Sequence, residues 1–111
     1  VFALTIFSEN PNYESATWQM NRLLNRWPTS GGVHNAMGYV QMLSGNLETA
    51  EKHFKMYLRV NPDTANAYDS MGDFLSASGK LEDARKSYER AIELSSVFKT
   101  ISQKKIDELV K

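Results

Sequence analysis

The sequence contains no cysteine, only three prolines and no surplus of either charge. Without thiols it has no disulfide framework, no thiolate metal site and no cysteine nucleophile, although a thiol-free chain suits a reducing or an oxidising compartment equally well. Thirteen basic residues balance thirteen acidic ones, which argues against nucleic-acid binding because neutralising phosphates requires excess cations. The longest apolar runs have about four residues, whereas a membrane-spanning helix needs about 20.

Known catalytic and metal-binding patterns are missing as well. His34 and His53 are the only histidines, and their spacing of 19 matches neither an H-E-x-x-H helix nor a cysteine–histidine zinc motif. No G-x-S-x-G nucleophile motif occurs, and the Gly31-Gly32 pair lacks the Lys and Ser/Thr of a phosphate-binding loop. We therefore expect no catalytic residues, no metal and no cofactor. We interpret His34 as a packing residue, His53 as partly exposed and the glycine pair as a flexible turn.

The sequence does contain an internal repeat of 34 residues. Eight of the 34 positions are identical between residues 31–64 and residues 65–98. Three features coincide after the shift: SGNLETAEK with SGKLEDARK, Met37-Gly38 with Met71-Gly72, and Phe54 with Tyr88. A second shift of 34 places residues 12–16 on residues 46–50. A period of this length is typical of helical arrays in which each unit packs against its neighbours.

Within each unit the apolar residues recur every three or four positions, as on one face of an α-helix. These stripes predict six helices, over residues 13–26, 33–43, 47–60, 65–77, 81–94 and 97–110. Gly45 and Gly79 follow the second and fourth of these helices, where a left-handed residue commonly ends a helix. In the last helix one apolar face is formed by Val97, Phe98, Ile101, Ile106, Leu109 and Val110. We expect that face to cover the end of the array while polar residues face outwards.

Glycine recurs at one helical position in both units. Gly38 and Gly72 lie within predicted helices, where Gly costs about 1 kcal/mol relative to Ala. A cost accepted twice at the same position indicates that two backbones approach closely there. We expect small and aromatic residues of the following helix to face these glycines, namely Ala50, Phe54, Ala84 and Tyr88.

These residues resemble the tetratricopeptide repeat, a helix–turn–helix unit of 34 residues with the pattern W-x2-L-G-x2-Y, A-x3-F and P. The matching stretches are His34-x2-Met37-Gly38-x2-Gln41, Ala50-x3-Phe54, Pro62, Tyr68-x2-Met71-Gly72-x2-Leu75 and Ala84-x3-Tyr88. The resemblance implies an all-α fold, in which antiparallel helix–turn–helix repeats stack as a short right-handed α-solenoid. We expect a single domain over residues 1–111. It would contain a partial first repeat (1–30), two complete repeats (31–64 and 65–98) and a capping helix (97–111).

The resemblance also implies a non-catalytic protein–protein interaction module, whose leading helices line a concave groove for a peptide or protein segment. The corresponding positions in this chain are Asn35, Tyr39, Met42, Asn66, Asp69, Asp73 and Ser76. Residues 27–47 carry no charged side chain, so we expect one end of the groove to be uncharged. Asp69 and Asp73 predict a solvated acidic face at the other end. In the family, a clamp for a C-terminal carboxylate uses Lys and Arg on this surface. This chain has neither at these positions, which argues against a C-terminal carboxylate as the ligand.

Apolar residues at the N-terminal end predict a second contact surface. Phe2, Ile6 and Phe7 precede the partial repeat, and Trp18 occupies a position that is lysine in the other two units. Soluble monomers rarely expose large apolar patches, so we expect a preceding domain or a second copy in a homodimer to cover this edge. Residues 1–7 suit either a helix or an extended strand.

An alternative function concerns a parent protein. The sequence starts without Met and shows no signal-peptide pattern, so we expect it to be a processed product or a fragment of a longer chain. The segment AYDSMGD at residues 67–73 and its Leu-Glu-Asp-Ala continuation are similar to repeats that follow bacterial serine hydrolases of the esterase and β-lactamase types. By this fold-level analogy the chain would be a C-terminal appendage that stabilises or regulates such an enzyme.

Overall fold

A computed structural model describes residues 12–109, which form α-helices and no β-strand. The helices are α1 (Tyr13–Arg26), α2 (Gly31–Leu43), α3 (Leu47–Val60), α4 (Ala65–Ala77), α5 (Leu81–Leu94) and α6 (Phe98–Leu109). This confirms the six predicted helices, with the largest difference at α2, which begins two residues earlier than expected. The question whether residues 1–7 form a helix or a strand lies outside the described residues.

The early start of α2 is explained by the serine that precedes it. The backbone N–H of Val33 donates to Oγ of Ser30 over 3.2 Å, so Ser30 caps the helix and the glycine pair forms its first turn. Gly31 is buried there, and a Cβ atom at this position would clash with Oδ1 of Asn61 and lie 2.9 Å from the ring of Tyr57 in α3. The interpretation of Gly31-Gly32 as a flexible turn is therefore wrong.

Two glycines end the leading helices, as predicted. Gly45 after α2 has φ +93°, Gly79 after α4 has φ +79°, and no atom lies within 4 Å of a Cβ built at either position. Their role is therefore conformational, since only Gly adopts such a φ without strain. The following amides complete the turns, with N–H of Asn46 donating to the carbonyl of Gln41 and N–H of Lys80 to that of Leu75, over 2.8 and 2.9 Å.

Glycine also allows the close crossing of paired helices. A Cβ at Gly38 in α2 would lie 2.6 Å from the Phe54 ring of α3. At Gly72 in α4 the corresponding atom would lie 2.5 Å from Cδ1 of the Tyr88 ring of α5 and closer still to Cε1. These separations are too short for any side chain larger than hydrogen. The prediction of a repeated close crossing is thus confirmed in both helix pairs, α2–α3 and α4–α5.

The apolar core lies between the helix pairs. One buried cluster joins α1 to α2 and contains Ala16, Met20, Met37 and Val40. The second joins α3 to α4 and contains Ala50, Phe54, Met71 and Phe74. Each pair therefore depends on its neighbour for a buried face, as expected for a helical repeat solenoid. None of the helices within residues 12–109 has the length and apolar character needed to cross a bilayer.

Helix α6 packs against α5 and α4, where a further leading helix would stack. Its orientation differs from the expected one. Val97 and Ile101 are 70% and 46% exposed, whereas Ser102 is completely buried and Lys105 is half-buried. The expectation that the apolar stripe covers the array end is wrong for Val97 and Ile101, because α6 turns a polar side chain towards buried Asp69 of α4.

Candidate functional site

The candidate site is the inner face, which we define as the side of α2 and α4 that carries Asn35, Tyr39, Met42, Asn66, Asp69, Asp73 and Ser76. Six of these seven residues are half-buried, and Asp69 is only 5% exposed. The hydroxyl of Tyr39 donates to Oδ2 of Asp73 over 2.5 Å. These two residues are 34 positions apart, so the bond joins equivalent places on successive leading helices.

The acidic pair on α4 is covered by α6. Oγ of Ser102 donates to Oδ1 of Asp69 over 2.8 Å, and Nζ of Lys105 donates to Oδ2 of Asp69 over 2.8 Å. Lys105 also reaches the Asp73 carboxylate at 3.2 Å, which accepts a further bond from the Tyr88 hydroxyl at 2.6 Å. The predicted solvated acidic face is therefore wrong, because a lysine and three hydroxyl groups satisfy both carboxylates.

This network fixes the protonation of its donors. Burial, together with the charge and hydrogen bond of Asp73, raises the pKa values of Tyr39 and Tyr88, so both phenols stay neutral and donate. Burial of Lys105 opposes its charge, but its hydrogen bonds and its attraction to Asp69 and Asp73 outweigh burial and raise the pKa of Lys105. The cluster holds a fixed cation between two carboxylates, which is the arrangement of a structural ion pair.

The rest of the inner face is uncharged. Nδ2 of Asn66 donates to the Tyr57 hydroxyl over 3.1 Å, and Met42 packs against the second apolar cluster. Oδ1 of Asn35 is buried and has no hydrogen-bond partner within the described part of the chain. Ser76 borders a shallow hollow next to Lys105. The α2 end of the inner face therefore offers amide and apolar groups to a ligand.

Comparison with protein families assigns one helix pair of the array. Residues 65–98, which contain α4 and α5, match the profile of the tetratricopeptide repeat. Residues 65–98 are therefore a tetratricopeptide repeat. Repeats of this family are helical modules of protein interaction and are generally non-catalytic. A comparison with curated proteins finds no match.

A histidine pair lies inside the α2–α3 crossing. His34 is 7% exposed, which confirms it as a packing residue, and its Nε2 donates to the carbonyl of Pro28 over 2.8 Å. A carbonyl only accepts, so the other ring nitrogen of His34 accepts from Nδ1 of His53 over 3.0 Å in the neutral pair. Burial and the neighbouring His34 ring lower the pKa of His53.

Sequence reasoning missed this pairing, although a signal was present. The signal was the spacing of 19 residues, at which side chains of paired helices face each other. The equivalent positions of the next repeat show the same pairing, where Oγ of Ser87 donates to the carbonyl of Tyr68 over 2.8 Å. No group of three or more metal-ligating side chains occurs within residues 12–109, so the two histidines stand alone. Their arrangement provides one hydrogen bond between helices and no nucleophile.

Of the predicted N-terminal edge, Trp18 lies within the described residues, on α1. Trp18 is 60% exposed, Trp27 is 50% exposed, and each indole lies against an arginine. The guanidinium carbon of Arg22 is 4.9 Å from the Trp18 ring centroid, and that of Arg26 is 5.1 Å from the Trp27 ring. The other predicted edge residues, Phe2, Ile6 and Phe7, lie outside the described residues.

Proposed function

We propose that this tetratricopeptide repeat chain is a non-catalytic interaction module that holds a peptide or protein segment against the inner face. The proposal rests on the amide oxygen of Asn35, which is buried without a hydrogen-bond partner in the described structure. An unpaired buried acceptor costs about 1–3 kcal/mol. Once the Asn35 side chain rotates to expose this oxygen, a backbone or side-chain N–H from a bound segment would remove this cost.

The electrostatics of the inner face restrict the partner. Helix α2 has no charged residue, and Lys105 already neutralises Asp69 and Asp73. A strongly basic or strongly acidic segment therefore has no unpaired counter-charge to meet on this face. The partner that fits is an uncharged stretch with an N–H near Asn35 and an apolar side chain near Met42.

We also propose that the chain is one domain of this module, with repeats at 31–64 and 65–98, a partial repeat at 1–30 and a capping helix at 97–111. The proposal is supported by the shared clusters between helix pairs, because a unit without its neighbour would expose its apolar face. Limited proteolysis that released a stable, folded pair α4–α5 would contradict it.

Selection from a displayed library of random peptides on the full chain would test the inner face. We expect the selected peptides to be apolar and uncharged, and to bind Asn35→Ala at least about tenfold more weakly, which corresponds to about 1.4 kcal/mol. Circular dichroism would check that the variant remains folded, and calorimetry would give the affinities.

Lys86→Ala is the matched control, because Lys86 is exposed on the trailing helix α5. Its affinity for the selected peptides should equal that of the unchanged chain. Equal binding by Asn35→Ala and weaker binding by Lys86→Ala would place the binding surface elsewhere on the array.

A further inference from the structure

Each trailing helix contacts its leading helix through the same few positions. In α3 these are His53, Phe54 and Tyr57, which meet His34, Gly38 and Gly31 of α2. In α5 the equivalents of the first two are Ser87 and Tyr88, which meet Tyr68 and Gly72 of α4. In each pair the leading helix (α2 or α4) therefore packs against the same stripe of positions on the trailing helix (α3 or α5).

The same stripe on α1 lies 34 residues earlier and consists of Gln19, Met20 and Leu23. These residues line a hollow of about 530 Å³, which we call the α1 hollow and which Trp18, Arg22, Arg26 and Trp27 also border. Leu23 is 36% exposed, whereas its equivalents Tyr57 and Ala91 are 8% and 0% exposed. By its position in the repeat, the α1 hollow is thus shaped to receive an α-helix.

Among the described residues that line the α1 hollow, two arginines have no acidic counterpart. In α5 the arginines are neutralised within the helix, by Arg85–Glu89 at 2.8 Å and Arg90–Glu93 at 3.0 Å. At the positions equivalent to these two glutamates, α1 has Asn21 and Asn25. Arg22 and Arg26 form no ion pair with any carboxylate of residues 12–109, and they lie instead on the exposed indoles.

We propose that the α1 hollow binds an acidic amphipathic α-helix of a partner protein. The apolar face of that helix would cover Leu23 between the two indoles. Carboxylates on its flanks would pair with Arg22 and Arg26, which supply the electrostatic complementarity that sets partner choice. Residues 1–11 contain a single acidic side chain, that of Glu9, which is one carboxylate for two arginines. This surface is separate from the inner face and does not depend on the function proposed for it.

Fluorescence tests the proposal directly, because the only two tryptophans of the chain both border the α1 hollow. The probes are three synthetic amphipathic helical peptides with one apolar stripe and flanking Glu, Gln or Lys residues. With the full chain, the Glu peptide should shift tryptophan emission to shorter wavelength. It should bind at least about tenfold more tightly than the Lys peptide, since two ion pairs are exchanged for two repulsions.

The double variant Arg22→Gln/Arg26→Gln should bind the Glu and Lys peptides equally. Arg90→Gln, the equivalent of Arg22 on α5, is the matched control and should preserve the preference. Equal binding of the Glu and Lys peptides by the unchanged chain, or no emission shift with the Glu peptide, would overturn the proposal.

Two further results would assign the α1 hollow to a different occupant and also overturn the proposal. The first is sedimentation that shows a dimer whose formation shifts tryptophan emission, which would identify a second copy. The second is tighter peptide binding after deletion of residues 1–11, which would identify the chain's own N-terminal segment. A monomer whose peptide affinity is indifferent to that deletion supports a partner helix.

Discussion

At the scale of single residues, the His34–His53 bond makes the stability of the array depend on pH. The lowered pKa of His53 means that the unfolded chain binds its proton more readily than the folded chain. Stability is therefore fully present above the ordinary histidine pKa of about 6.5 and is lost as pH falls below it. Protonation of both rings would also place two positive charges in contact.

Urea denaturation between about pH 8 and pH 5 would measure this effect, because only histidine ordinarily titrates in that range. We expect the free energy of unfolding to decrease towards acidic pH and to decrease less in His53→Asn. Parallel curves for the two proteins would show that the pair does not control the pH dependence.

A second prediction at this scale concerns Gly38. Leucine there would drive a side chain into the Phe54 ring, because even a Cβ atom lies 2.6 Å from it. We expect Gly38→Leu to lower the free energy of unfolding by about 1–3 kcal/mol through overpacking. Gly32→Ala is the control, since its Cβ would meet only Oγ of Ser30 at 4.0 Å, and urea denaturation should find it no less stable than the original.

At the scale of helices, the attachment of α6 to α4 is polar. Lys105→Met would leave the buried Asp69 carboxylate with Ser102 as its donor and no cation. We expect the free energy of unfolding to fall by about 1–3 kcal/mol, the usual cost of an unsatisfied buried group. Amide hydrogen exchange should accelerate in α6 before it does so in α3 or α4.

The matched control for Lys105→Met is Lys104→Met, because Lys104 is exposed on the same helix. It should leave stability within about 0.5 kcal/mol of the original. Adding Asp69→Leu to Lys105→Met should recover part of the loss, since replacing both partners of a buried pair removes the uncompensated charge. An additive loss in the double variant would contradict this account of α6.

The helices themselves could be predicted because their signals are local or repeated. Gly45 and Gly79 end helices through their own conformation, and the Gly38–Phe54 crossing recurs with the period of the sequence. The contacts of α6 could not be predicted, because Ser102 and Lys105 belong to no repeated motif. Their burial depends on how α6 rotates about its axis, which its apolar residues alone did not determine.

At the scale of the whole molecule, Phe54 ties three helices together. It is fully buried and lies edge-on to Tyr39 at 5.1 Å, and its ring centroid is 6.0 Å from that of Phe74. We expect Phe54→Ala to cost about 3–5 kcal/mol by opening a cavity, a large share of the 5–15 kcal/mol that typically stabilises a domain. Thermal unfolding should remain one transition at a lower midpoint.

The control for Phe54→Ala is Leu81→Ala, because Leu81 is 47% exposed at the start of α5. Calorimetry should find a loss below about 1 kcal/mol for this surface change. Two separate transitions in Phe54→Ala would instead mean that the α1–α2 and α3–α4 clusters unfold independently of each other.

The position of the apolar clusters between helix pairs also has a mechanical consequence. A chain pulled from its two ends would separate first between neighbouring repeat units. Each apolar cluster is shared by two units, so no unit has a closed core of its own. Releasing one stretch the size of the matched repeat, residues 65–98, would lengthen the chain by about 110–120 Å of contour. Under load we therefore expect the array to unfold stepwise, with an increase in contour length of that size for each repeat.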